Sequence, residues 1–260
     1  NNTVVEVIEN EEDFTTDRLV AMDILHQPER VIIEYNGMWL VSNFEKMQLP
    51  KGWGVEQQIT CVDGSTFQMY MANMKSIFMD MIKNTDMVIF NRCKKEDPLP
   101  TYRRGIKVAN QRAEVIFEDE EGELGDIFQD EMPFDMNAPV IEILPEDYGI
   151  WFVDAMDHPE NYEGKTVKFK ARVMKPRGMG SKFFVPGRTA MTCCADDTTF
   201  LGYVCKSAYA PKLTAGQWVE VTAKVGIEKR NEYQGEEGIV LDAEYVETCE
   251  PLADEMVYFN

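Results

Sequence analysis

Histidine is almost missing from this chain: His26 and His158 are the only two among 260 residues. Each is followed closely by proline and glutamate, a context for a turn that ends a helix, which argues against a histidine-rich zinc centre. Cysteine is sparse too. Cys61, Cys93, Cys193, Cys194, Cys205 and Cys249 never fall in CxxC spacing and are too scattered to staple a disulfide scaffold of this size. No apolar run reaches about 18 residues, so no segment is long enough to cross a bilayer as a helix. Glycine-rich phosphate loops, the GxSxG elbow and the HExxH pair are all absent. Gly178-Met179-Gly180 is too short to cradle a phosphate and reads as a strand-connecting turn. Tyr102-Arg103-Arg104 reads as an isolated, solvated basic hairpin. Nothing here points to an enzyme.

Positive charge is also short. The 26 Lys and Arg face 46 Asp and Glu, a net charge of −20. That balance argues against sequence-independent nucleic-acid binding, which needs cations to neutralise phosphates, and against docking on an anionic membrane. Nine acids and no base lie between Glu118 and Asp135. Their spacing is not that of a calcium loop, so the stretch reads as a solvated linker. With 44% hydrophobic and 28% charged residues the rest is ordinary globular sequence, long enough for two modest domains. The opening Asn1-Asn2-Thr3 fits a chain whose export signal, lipid anchor or membrane segments have been removed, and equally an ordinary trimmed domain.

What the chain does contain is a segment that reads as written twice. Cys61, Asp63, Thr66 and Phe67 meet Cys194, Asp196, Thr199 and Phe200 at a constant offset of 133 residues. Val5-Glu6-Val7 resembles Ile141-Glu142-Ile143, Ala21-Met22-Asp23 returns as Ala155-Met156-Asp157, and Gly105-Ile106-Lys107-Val108 falls on Gly238-Ile239-Val240-Leu241. These matches predict an internal duplication, with residues 1–117 a diverged copy, 118–138 the acidic linker and 139–260 the second copy.

In the second half Tyr148, Trp151, Phe152 and Ala155 keep the spacing of a short amphipathic helix. Val167, Phe169, Ala171 and Val173 alternate with Lys168, Lys170 and Arg172, as in a half-buried strand. Further strands are expected at 183–194, 199–206, 219–225 and 239–245. Five short strands suggest a small closed barrel of OB type. In the first half Met74, Ile77, Phe78, Met81 and Ile82 keep helical spacing between strands expected near 66–71 and 87–92, where an OB barrel carries its helix. The expected fold is therefore mainly β with short helices (α+β), built as tandem OB-like barrels.

From about residue 140 onward the chain resembles the YcgQ-like family of permease subunits. The resemblance rests on Tyr162-Glu163-Gly164-Lys165, Phe183-Phe184-Val185 before Arg188, Cys193-Cys194-Ala195-Asp196, Trp218-Val219-Glu220-Val221, and the closing Pro251 with Tyr258. It implies an extracytoplasmic domain, membrane- or lipid-anchored in the full-length protein, that serves a membrane permease encoded beside it, sometimes in metal homeostasis.

Three readings of the cysteine segment stay open. Cys193, Cys194 and Asp196, with Cys205 on the next strand, supply ligands for zinc or another thiophilic metal. Adjacent residues on a regular strand face opposite sides, so both thiols reach one ion only at a strand end or bulge. As a redox pair, Cys193 and Cys194 would form a strained, readily reduced vicinal bond, while neighbouring acids raise rather than lower a thiol pKa. The purely structural reading buries one cysteine and gives Asp196 a turn, as Asp63-Gly64 suggests for the other copy. Met69, Met71, Met74, Met79, Met81 and Met87 could ligate Cu(I), but their helical register favours core packing, with a partner-binding surface between those two readings.

Overall fold

The computed structural model describes residues 3–125, 132–191 and 198–258. The chain divides into two compact units, one formed by Asn1–Lys94 with Arg112–Leu124, the other by Lys95–Gln111 with Gly125–Asn260.

The first unit opens with helices α1 (Thr16–His26) and α2 (Val41–Lys46). Thr15 caps α1 by accepting from the Arg18 N–H at 3.3 Å, and the helix ends at His26 because Gln27 turns left-handed. Next come β1 (Ile59–Asp63), α3 (Phe67–Ile82), β2 (Met87–Asn91) and, after a longer connection, β3 (Glu114–Phe117). The sheet order is β1-β2-β3 and both pairings are parallel, with Cys61 beside Ile89 and Ile89 beside Ile116. Parallel neighbours cannot be joined by a tight turn, so each connection must cross over. Helix α3 makes the first crossover and buries Phe67, Phe78, Met79 and Ile82. Phe67 meets Phe78 and Phe90 edge-on, at 5.1 and 4.9 Å between ring centroids. Each such side chain contributes roughly 2 kcal/mol of apolar burial, which is what fixes the helix on the sheet.

This overturns the expected first barrel and the duplication with it. A parallel β-α-β layer is not a copy of an antiparallel barrel. The stretch expected as a strand near 66–71 is the first turn of α3, and Gly105-Ile106-Lys107-Val108 lies in a helix where its supposed counterpart is a strand. Only the helical reading of 74–82 and the strand at 87–91 stand. Within the acidic stretch, residues 118–124 form a reverse turn on the end of β3. Asp119 Oδ1 accepts from the N–H groups of Glu121 and Gly122, and the Leu124 N–H returns to the Phe117 carbonyl at 2.8 Å.

The second unit contains α4 (Leu99–Ala109), β4 (Ile141–Glu142), α5 (Tyr148–Asp157), β5 (Thr166–Met174), β6 (Phe183–Met191), β7 (Thr198–Gly202), β8 (Val204–Lys206), β9 (Trp218–Lys229), β10 (Glu237–Thr248) and β11 (Met256–Val257). Strand β5 pairs antiparallel with β6, β6 with β7 and β8, β10 with β9, and β9 with β5; β8 and β10 run parallel. The circuit β5-β6-β8-β10-β9-β5 closes, which is the Greek-key order of an OB barrel. The alternation read from sequence is the cause: Val167, Phe169, Ala171 and Val173 of β5, and Val219, Val221, Ala223 and Val225 of β9, all point inward and are buried. The helix that OB barrels carry between the third and fourth strands is reduced here to the 3-10 turn Ala210–Lys212, as the short 208–213 stretch leads one to expect. A register shift between Ala243 and Tyr245 bends β10 around the barrel.

Helix α5 closes one end of the barrel with the side chains its spacing had singled out. Tyr148, Trp151, Phe152 and Ala155 are all buried. Trp151 packs 4.8 Å from Phe169 and 5.6 Å from Tyr203, and the Tyr148 hydroxyl donates to the Leu201 carbonyl at 3.0 Å. Burial pushes the Tyr148 and Tyr203 hydroxyls far above their ordinary pKa, so both stay neutral hydrogen-bond donors. Helix α4 packs on α5 and β7, and its Val108 joins this core.

Candidate functional site

The metal and redox candidates Cys193, Cys194 and Asp196 lie outside the described residues. The fourth candidate, Cys205, is placed firmly. It sits on β8 opposite Phe184 of β6, whereas β6 runs toward the cysteine segment through Met191, seven residues further on. Cys205 is also fully buried, and that burial, followed by the charge of Asp242, drives its thiol pKa far up. Its geometry is that of a small apolar wall residue. Among the described residues, no group of three His, Cys, Asp or Glu side chains could hold a metal ion.

The proposed counterparts Cys61 and Asp63 do not form a hairpin. Cys61 is exposed on β1, and Asp63 ends that strand where the chain turns into α3. Asp63 Oδ1 accepts from the Ser65 hydroxyl at 2.6 Å and the Ser65 N–H at 3.0 Å, an Asx-type turn. The Arg92 guanidinium reaches Asp63 Oδ2 at 2.7 Å. The Ser65 hydrogen bond, aided by Arg92, holds the Asp63 carboxyl below the usual carboxylate range. Gly64 is required here by close approach: a Cβ would lie 2.7 Å from Cys93 Sγ and 3.0 Å from the Asn91 carbonyl.

These residues occupy the carboxyl ends of β1 and β2, the edge at which open parallel α/β sheets bind ligands. Two features mark the edge. Arg92 has a left-handed backbone (φ 55°), uncommon for a side chain other than glycine or asparagine. Asn91 Oδ1 is buried without a hydrogen-bond partner among the described residues, a costly state for an amide oxygen. Sequence reasoning missed this edge because it took Asp63-Gly64 for the tip of a hairpin. The helical period starting at Phe67 was the signal that could have found it.

The methionines divide by position on α3. Met79 is buried and Met74 and Met81 half-buried, while Met69 is 66% exposed. The helix is interrupted at Met74, which has φ −133° and ψ 27°. His158 follows the last turn of α5, as His26 ends α1. No helix among the described residues is long and apolar enough to cross a membrane.

Comparison with known proteins adds one family. Among solved structures, the chain is similar to the mitochondrial single-stranded DNA binding protein Rim1 from S. cerevisiae, at 10% identity over 34% of this chain and 97% of that one, with a TM-score of 0.21. It is also similar to the aspartyl tRNA synthetase from Entamoeba histolytica, at 16% identity over 45% of this chain and 27% of that one, with a TM-score of 0.24. No curated protein matches it. Residues 123–259, more than half of the sequence and the whole of the barrel, match the DUF1980 C-terminal domain, and the chain belongs to that family.

Proposed function

We propose that this protein is a non-enzymatic, extracytoplasmic binding module whose partner is a membrane permease subunit. The observation that supports this reading is an apolar surface on the first unit. Val5 is 81% exposed, Val7 72%, Leu25 72% and Ile32 88%. Glu6 pairs with Arg18 at 3.8 Å and with His26 at 3.3 Å, which holds the segment around Val5 and Val7 against α1 near Leu25. The exposed apolar side chains of this segment and of α1 offer a surface of the kind that binds other proteins. Metal handling, as a subsidiary part of the reading, rests on Cys193, Cys194 and Asp196 alone.

Co-expression with a permease of the kind the family resemblance implies tests the reading. The wild-type chain is expected to co-purify with that permease in detergent, and Leu25→Glu with Ile32→Glu to abolish co-purification while leaving the melting temperature unchanged. Failure of the wild type to co-purify sinks the proposal. Elemental analysis of the native protein and of Cys193→Ser, Cys194→Ser addresses the metal: stoichiometric zinc lost in the variant supports it, and its absence with two free thiols removes both metal and redox roles.

A second reading is favoured by the unpartnered Asn91 Oδ1: a small polar ligand with an N–H group, held at the carboxyl edge of the parallel sheet. A ligand that raises the melting temperature of the wild type but not of Asn91→Ala would support it.

A further inference from the structure

The second unit carries a groove that runs against the charge of the rest of the molecule. It lies between the β5–β6 connection and the β9–β10 connection, has a volume of about 590 Å³, and is lined by Pro176, Met179 and Phe183, by the cations Arg177, Lys229 and Arg230, and by one acid, Glu232. In size it matches pockets that hold substantial ligands, typically about 300–1,000 Å³. These two connections are the loops that flank the binding face in OB barrels generally.

The charges in the groove are not equivalent. Arg230 is committed: it pairs with Glu232 at 2.9 Å and Glu228 at 3.7 Å, and its guanidinium lies 4.3 Å over the Phe183 ring. Arg177 and Lys229 are exposed, and among the described residues neither has a carboxylate within ion-pair distance. The groove therefore presents two uncommitted cations together with the apolar side chains of Pro176, Met179 and Phe183. In a chain of net charge −20, such a local reversal is a recognition feature, because charges beyond about 8 Å are screened at physiological salt.

We propose that this groove binds an acidic peptide segment of a partner protein, with carboxylates on Arg177 and Lys229 and an apolar side chain against Met179 and Phe183. Arg pairs with carboxylates in bidentate geometry, and the apolar side chains give a peptide what a free inorganic anion cannot use. Single-stranded nucleic acid is the less suitable occupant. It needs open aromatic faces for its bases, and one face of Phe183 is already covered by Arg230. The proposal is independent of the apolar surface on the first unit.

Fluorescence anisotropy with a short fluorescein-labelled peptide alternating glutamate and leucine tests it on the full chain. Saturable binding that weakens as salt rises is expected. Arg177→Glu with Lys229→Glu should weaken it about tenfold or more, equivalent to at least about 1.4 kcal/mol, and a peptide with glutamine in place of glutamate should lose as much. Lys212→Glu, on the turn after β8, should bind like the wild type. If charge reversal perturbs folding by circular dichroism, Arg177→Gln with Lys229→Gln gives the same test with a smaller expected loss. Absence of saturable binding, equal binding by the correctly folded double variant, or displacement of the peptide by oligothymidylate at lower concentration than by unlabelled peptide would each overturn the proposal.

Discussion

Arg188 shows how one residue can join three parts of the barrel. It is 2% exposed, and no carboxylate among the described residues lies within ion-pair distance of it. Instead its guanidinium donates to the carbonyls of Pro145, Asp254 at 3.0 Å and Met256 at 2.9 Å, and it lies 5.6 Å over the Tyr148 ring. Burial lowers its pKa, but from a value so high that it stays charged. Two effects compete in removing it. The buried charge is costly and its Nε has no partner among the described residues, whereas three carbonyls would lose charge-assisted bonds worth roughly 1.5–3 kcal/mol each. The bonds outweigh the cost, so Arg188→Met should destabilise the unit by about 2–3 kcal/mol. Urea denaturation measures that loss, and hydrogen exchange should show the amides of β11 exposed first. A variant as stable as the wild type would mean that the buried charge costs as much as it holds.

At the scale of the element, the barrel depends on one crossing of two glycines. Gly187 of β6 pairs with Gly202 of β7 and also with Arg172 of β5, so β6 changes partners at this point. A Cβ on Gly187 would sit 2.3 Å from the Leu201 carbonyl oxygen, and one on Gly202 2.7 Å from the Pro186 carbonyl oxygen. Backbone cannot give way there as a flexible side chain would. Gly187→Ala should therefore destabilise the barrel by about 2 kcal/mol or more, seen as a lower urea midpoint at unchanged slope; an unchanged midpoint would show that the strands can separate without loss. The same strands explain why the second unit was legible in the sequence. Their period-two alternation is enforced by a core on one side and water on the other, so Val167 to Val173 and Val219 to Val225 gave the right elements. The first unit was not legible for an equally physical reason. Asp-Gly after a strand is as good an Asx turn into a helix as it is a hairpin, and four matching residues carry no information on whether the chain returns or crosses over. The edge at Asn91 and Arg92 was invisible for the same cause, since it exists only once β1 and β2 are parallel. Cys205 was read only by its nearness in sequence, and its burial in the barrel wall on β8 shows only once the strands are paired.

For the whole molecule, the governing quantity is the excess of 20 negative charges. Self-repulsion of that size opposes the compact state, and salt relieves it once the Debye length falls to about 8–10 Å. Salt also weakens the favourable surface pairs, such as Lys168 with Glu220 at 3.0 Å and Arg92 with Asp63 at 2.7 Å. Exposed pairs contribute little, typically about 0.2–1 kcal/mol each, and few of them stand against 46 acids. Repulsion should therefore dominate. The melting temperature is expected to rise by roughly 2–4 °C, as for a change of about 1 kcal/mol in a protein of this size, between low ionic strength and about 0.15 M sodium chloride. Calorimetry across a salt series measures this, with potassium chloride at equal ionic strength giving the same curve if screening is the cause. A falling melting temperature would show instead that the local pairs, and not the net charge, set the electrostatic balance.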